Sequence, residues 1–242
     1  MSDLKIDYGG LKDLVEEGRE AAHRKDSRQG WLGRWLRGLI LWAVALAVMA
    51  TLPFFLMVRL GVFAYREWSL GTWLSLSMAV VATAVLLAGY AWFVGRRVGA
   101  GRGMRRVMTR GAAGMAAAYV AYALVYVAGA NVKSDDVRAE YRGLHPLLRV
   151  AAAAVFVVDS ETVMTDAGRV PEDYWLMGLP LNEASLHFEQ DDGFVHALDI
   201  RTRGRREWRN RGLEMAFWAM GFHALRHVGT ADHLHVSLRL PE

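Results

Sequence analysis

The chain has no cysteine among its 242 residues. That excludes disulfides and thiolate ligands, so any metal it holds must sit on histidine and carboxylate. Acidic residues are missing from the stretch 96–110, where Arg96, Arg97, Arg102, Arg105, Arg106 and Arg110 stand without one Asp or Glu. Formal charge of either sign is missing from three longer stretches, 39–58, 71–94 and 111–130. About 20 uncharged apolar residues are enough to cross about 30 Å of hydrocarbon as a helix. With no charged side chain inside them, these stretches do not read as a path for protons or ions. A cleavable signal peptide is also not expected, because 38 polar or mixed residues precede the first apolar stretch.

What is present is apolar: 53% of the residues, too high for an ordinary soluble domain. The sequence predicts a membrane protein with three transmembrane helices, at 39–58, 71–94 and 111–130, the first containing Pro53. Trp73 near one end of the second helix, and Tyr90 and Trp92 near the other, fit aromatic belts. Gly111, Gly114, Ala118 and Ala121 offer a close-packing stripe on the third, used within the unit or in a homo-oligomer. Residues 1–37 read as a cytoplasmic segment, with a polar helix over 11–24 and an interfacial anchor at Trp31-Leu32-Gly33-Arg34-Trp35.

The arginines set the expected orientation. Arg24, Lys25, Arg28, Arg34 and Arg37 precede the first span, and the six arginines of 96–110 follow the second. The other loops hold few cations, or cations balanced by acids such as Asp135, Asp136 and Glu140. The positive-inside rule then predicts a cytoplasmic N-terminus and a C-terminal domain outside. The same distribution assigns the net charge of +4 to contact with an anionic lipid bilayer, with no nucleic-acid partner. The glycine-rich 99–103 run lacks a strand–helix context and reads as part of that basic loop.

Residues 131–242 are expected to form a small α+β domain with an antiparallel sheet, after a charged linker at 131–142. An apolar helix is predicted over 147–158, too short to span a membrane. Residues 159–184 read as irregular, 194–201 as a strand, 206–220 as a helix and 233–238 as a last strand. His223 and His227 follow the Gly221-Phe222 turn and are expected in a solvated turn, with Glu207 and Glu214 as surface charges.

Six of the eight histidines fall in the last 56 residues: His187, His196, His223, His227, His233 and His235. His233-x-His235 suits a strand, where alternation sends both imidazoles to one face. Two imidazoles and a carboxylate on separate extended segments can fill three corners of a zinc site and leave the fourth for water.

In order, Ser185-x-His187, Ala197-x-Asp199-Ile200, the Gly221-Phe222 turn and His233-x-His235 resemble the zinc D,D-peptidases of the D-alanyl-D-alanine carboxypeptidase and dipeptidase group. Thr165-x-x-x-Arg169 matches the upstream arginine of that family, and the likeness covers roughly residues 144–236. The resemblance implies a Zn²⁺ site on His187, Asp199 and His235, with His233 as the catalytic imidazole. It also implies that Arg169 acts on the scissile carbonyl or a substrate carboxylate. Asp232 would orient an imidazole. Two departures stand out. Eleven residues separate His187 from Asp199 where the family has about six, and Val195 replaces a family glycine. Residues 189–193 read as a loop insertion at the Asp191-Asp192-Gly193 turn, with Asp192 or His196 as the alternative first ligand.

The expected function is a membrane-anchored zinc peptidase of peptidoglycan stem peptides in the bacterial cytoplasmic membrane. The competing expectation is a non-catalytic wall-binding anchor of a larger envelope or injection complex. A pore-forming lysis protein is disfavoured, because the spans lack polar faces.

Overall fold

Apolar sequence and helical propensity give this chain its long helices; a short antiparallel sheet holds its chemistry. The computed structural model describes residues 8–176, 178, 180–182, 184–229 and 232–241, and the side chains of residues 15–17, 19 and 33 onward among these. Helix α1 (Tyr8–Glu67) is continuous through Pro53, α2 covers Thr72–Arg97 and α3 Arg102–Val125. The expected helix at 11–24 is part of α1, while the side chains of Trp31 and Leu32 lie outside the described residues. The chain divides into two units, Met1–Thr51 and Leu52–Glu242.

Among the described residues, two helical stretches are long and apolar enough to cross a membrane, Gly33–Glu67 and Thr72–Arg97. The expected third span is not one of them. Helix α3 starts among arginines and ends at Val125, with Tyr126 and Ala128 extended after it. That end is well capped. The Tyr141 hydroxyl reaches the Ala123 carbonyl at 2.7 Å, and the Arg149 guanidinium reaches the Leu124 carbonyl, also at 2.7 Å. Both satisfy carbonyls that a helix terminus leaves without partners.

The expected charged linker is folded. Residues Gly129–Asn131 form a 3₁₀ turn, α4 follows at Asp135–Glu140, and a second 3₁₀ turn covers Tyr141–Gly143. Ser134 caps α4 by accepting from the Val137 N–H. Val137 and Tyr141 are buried, and the Asn131 amide donates to the Ser160 and Thr162 carbonyls.

Helix α5 (Pro146–Val158) matches its predicted extent and is buried along almost its whole length. Its apolar side chains share one core with Met57, Val58 and Val62 of α1, Leu76 and Ala79 of α2, and Val120 and Ala123 of α3. The same core continues into Leu198, Ile200, Leu234 and Val236 of the sheet. After α5 come β1 (Met164–Asp166), α6 (Pro171–Leu176), β2 (Ala197–Arg201), α7 (Glu207–Met220), β3 (His223–His227) and β4 (His233–Ser237).

The four strands form an antiparallel sheet in the order β1-β2-β4-β3. Residues 223–227 are therefore a strand and not a solvated turn. Their half-exposed alternation of His223, Leu225 and His227 against Ala224 and Arg226 hides the usual apolar signal. The Gly221-Phe222 turn is the left-handed end of α7, where Gly221 has φ 101°. A Cβ there would meet Arg59 Nη1 at 2.5 Å and Val62 Cγ1 at 2.9 Å, so glycine serves both the backbone and the close approach of α1.

Candidate metal centre

Strand register builds the site. In the β2–β4 ladder Asp199 lies opposite His235, and Arg201 lies opposite His233. Period-2 alternation thus sends Asp199, His233 and His235 to the same face of the sheet. The fourth group, His187, comes from the segment between α6 and β2. This segment is tied to the β1–α6 connection, because the Arg169 N–H donates to the His187 carbonyl at 2.9 Å.

His187, Asp199 and His235 converge so that one ligand atom from each lies within 4.8 Å of the others. His235 Nδ1 is 2.9 Å from Asp199 Oδ1, His187 Nε2 is 3.4 Å from the same oxygen, and the two ring nitrogens are 3.3 Å apart. Two of the three groups are held from behind. His187 Nδ1 lies 2.6 Å from the Ala167 carbonyl, which only an Nδ1–H can satisfy, so Nε2 is the ring nitrogen turned toward the cluster. Arg169 Nη2 donates to Asp199 Oδ2 at 2.9 Å, leaving Oδ1 to the imidazoles, while its Nε donates to Asp166 Oδ2 at 2.6 Å. Such outer partners orient metal ligands and fix their tautomers.

The electrostatics agree with the geometry. Burial alone would raise the Asp199 carboxyl, but hydrogen bonds from His187 and His235 and the nearby charge of His187 and His233 hold it far below the usual carboxylate range. Burial pulls His227 down, and the neighbouring His233 and His235 pull it further, against an opposing effect of Asp199. Two imidazole nitrogens and an ionised carboxylate oxygen suit zinc by ligand type.

The site opens into a cleft of about 1190 Å³ whose walls include Lys133, Arg201, His223 and His227. His233 lies beside the cluster, with Nε2 3.8 Å from Asp199 Oδ2 and its ring stacked on His227 at 4.8 Å. Arg169 is engaged with Asp166 and Asp199, and lies 5.9 Å from the Tyr174 ring. That gives it a positioning task that the sequence reading did not foresee. Asp232 lies on the cleft wall, but its carboxylate binds Arg226, at 3.1 and 3.2 Å, and the Thr202 hydroxyl. These hydrogen bonds hold the start of β4, and the imidazole-orienting role expected of it is not among them.

Sequence reasoning missed the Ala167 carbonyl and Asp166. Only the Thr165-x-x-x-Arg169 context hinted at either. It also missed a second constellation, His145, Asp192 and His196, whose ligand-type atoms likewise gather within 4.8 Å. Asp192 and His196, the alternatives to His187, are thus both in this second group. No protein-family model matches the chain, and neither the curated proteins nor the solved structures contain a match to it.

Proposed function

We propose that this chain is a membrane-anchored zinc peptidase that cleaves peptidoglycan stem peptides at a bond involving a D-amino acid. One observation carries the reading: His187 Nε2, Asp199 Oδ1 and His235 Nδ1 meet at a cleft, each oriented by a hydrogen bond or a strand register behind it. Zinc held by these three side chains would supply Lewis acidity and make water nucleophilic at neutral pH.

The remaining residues divide the work. Arg169 fixes the Asp199 carboxylate so that one oxygen is available to the cation. His233, on the strand next to the ligands and at the cleft, receives a proton from the attacking water and returns it to the departing amine. His227, stacked on His233, keeps that ring in one orientation. Lys133 and Arg201 give the cleft wall a cationic character suited to the carboxylates of a stem peptide.

Membrane anchoring rests on the helices. Leu39, Ile40, Leu41, Trp42 and Val44 expose large apolar surfaces, which an aqueous protein of this size does not leave uncovered. In the proposed topology α3 joins α1 and α2 as a third membrane helix, its first-turn arginines reaching the interface. Helix α2, at 26 residues, is about 39 Å long. Its Thr72 end contacts His145 and Asp192 of the later chain, and its other end carries Arg96 and Arg97. That separation supports a cytoplasmic arginine loop and an extracytoplasmic site in the bacterial cytoplasmic membrane.

Metal analysis of the purified full chain, with hydrolysis of a stem pentapeptide followed by mass spectrometry, tests the reading. About one zinc per chain and chelator-sensitive cleavage are expected. Zinc binding without cleavage would leave the non-catalytic wall anchor, and no zinc binding would remove the peptidase reading.

A further inference from the structure

The second constellation resembles a metal site in composition, but its protons are arranged differently. His145 caps α5, and its Nδ1 accepts from the Leu147 N–H at 3.2 Å. A ring that accepts at Nδ1 carries its proton on Nε2, so this imidazole has no lone pair to offer there. The Nε2–H instead faces the Thr72 hydroxyl at 3.0 Å, and that hydroxyl donates to Asp192 Oδ2 at 3.2 Å.

Asp192 is fully engaged. Its oxygens accept from Thr72 at 3.2 Å, Tyr65 at 3.2 Å, the Phe194 N–H at 3.2 Å, and His196 Nε2 at 3.0 Å. A carboxylate has about four lone-pair positions, and four protein donors occupy them. His196 Nδ1 in turn faces the Leu238 carbonyl at 3.2 Å. With one nitrogen facing a carbonyl and the other a carboxylate, this fully buried ring is placed as a double donor.

The segment that bears Asp192 is also the one that bears His187. Residues 185–196 fold back on themselves, with the His196 N–H donating to the Leu186 carbonyl at 2.9 Å and Gln190 N–H to the Phe194 carbonyl at 2.9 Å. Phe194 packs edge-on against Trp73 of α2 at 6.1 Å, and Tyr65 of α1 packs against His145 at 4.8 Å. The residues that exceed the family spacing therefore make contacts of their own.

We propose that Asp192 is a latch through which the turn between α1 and α2 holds the loop bearing His187, and that the His145–Asp192–His196 group holds protons and not a metal ion. Asp192 is a positioning residue for His187, and the turn between the helices is its fixed point. The Tyr65 and Thr72 hydroxyls donate the hydrogen bonds that close it.

The test uses the full chain in detergent micelles, with Tyr65→Phe combined with Thr72→Val to remove both hydroxyls at nearly constant volume. Amide exchange of residues 185–196 should accelerate by at least about tenfold, because two part-buried hydrogen bonds to a charged group are lost. Zinc affinity, measured by chelator competition, should fall by about tenfold, as for the loss of a partner behind a ligand, with stoichiometry unchanged. Unchanged exchange overturns the latch, and unchanged affinity overturns the positioning of His187. A second equivalent of zinc in the natural sequence that disappears in Asp192→Asn overturns the proton-held assignment. The metal arm rests on the proposed function, whereas the exchange arm does not. A chain that binds no zinc would sink the peptidase reading and leave exchange to decide the latch.

Discussion

Gly61 of α1 and Leu147 of α5 pack so closely that a Cβ on Gly61 would lie 2.6 Å from Leu147 Cδ2. Leu147 is fully buried, and the Ala79 side chain lies 3.5 Å from the same position, so the leucine has little room to turn away. Interiors are packed nearly as densely as crystals, and an added methyl is felt. Gly61→Val is expected to destabilise the chain by about 1–3 kcal/mol. Combining it with Leu147→Ala should cost less than the sum of the two single changes, as coupled neighbours do. Thermal unfolding of the four proteins in detergent measures this; strict additivity would mean that the two helices do not meet there.

His235 and His233 share a face of the sheet, and the proposed function gives them different tasks. His235→Ala removes a nitrogen 2.9 Å from Asp199 Oδ1 and should abolish tight zinc binding. His233→Ala should retain zinc at about one per chain and lower kcat by about 10²–10⁴-fold, the usual contribution of a general acid or base. Metal analysis beside steady-state kinetics separates the two. Equal zinc loss in both variants would show that the ligand is not confined to His235.

Arg169 holds Asp199 through one oxygen while bonded to Asp166. Arg169→Gln should weaken zinc binding by about 10–100-fold, since it frees the carboxylate to rotate. Arg169→Lys should recover only part of the loss, because an ammonium cannot hold two carboxylates with the same planar fork. Competition with a chromophoric chelator reads both. Full retention by the glutamine variant would assign Arg169 to substrate alone.

Burial pushes His145 down to about 3, with the nearby His196 and Arg149 adding to the shift and Asp192 opposing it. The ring is therefore neutral in the fold and titrates near 6.5 once unfolded. Between these values the unfolded chain binds more protons, so stability is complete above about pH 6.5 and declines as pH falls toward 3. The expected slope from this group approaches about 1.4 kcal/mol per pH unit. His145→Asn keeps an acceptor for the Leu147 N–H and removes the titration, so its melting temperature should fall less between pH 7 and pH 5. An unchanged acid slope would place the sensitivity elsewhere.

Much of the architecture was legible because its signals are local. The uncharged runs gave α1 and α2 their apolar character, the run 147–158 matched α5 closely, and His233-x-His235 sits on a strand as its alternation suggests. The motif order names Asp199 and His235 as ligands, but neither it nor periodicity sets that their strands adjoin. What escaped was non-local or masked by charge. Residues 131–142 look like a linker because six charges outnumber Val132, Val137 and Tyr141, the three apolar or aromatic side chains that enter the core. His145 read as the start of an element, but its partners Tyr65 and Thr72 lie more than 70 residues earlier in the chain, beyond any spacing rule. The 189–193 turn was recognised as a turn; its contacts with α1 and α2 have no sequence signature.

Folding of the 131–142 segment decides how far the sheet face that bears the candidate site can travel. A flexible connection of a dozen residues would let an attached domain wander over about 20 Å and search its surroundings like a tethered hook. Here Asn131 and Val132 are buried, and the Lys133 N–H donates to Met164 of the sheet at 2.9 Å, so no slack remains after α3. The cleft keeps a constant height above the ends of α2 and α3. Under the proposed function a substrate must come to it, within a reach set by where the helices sit and not by how far an arm can swing.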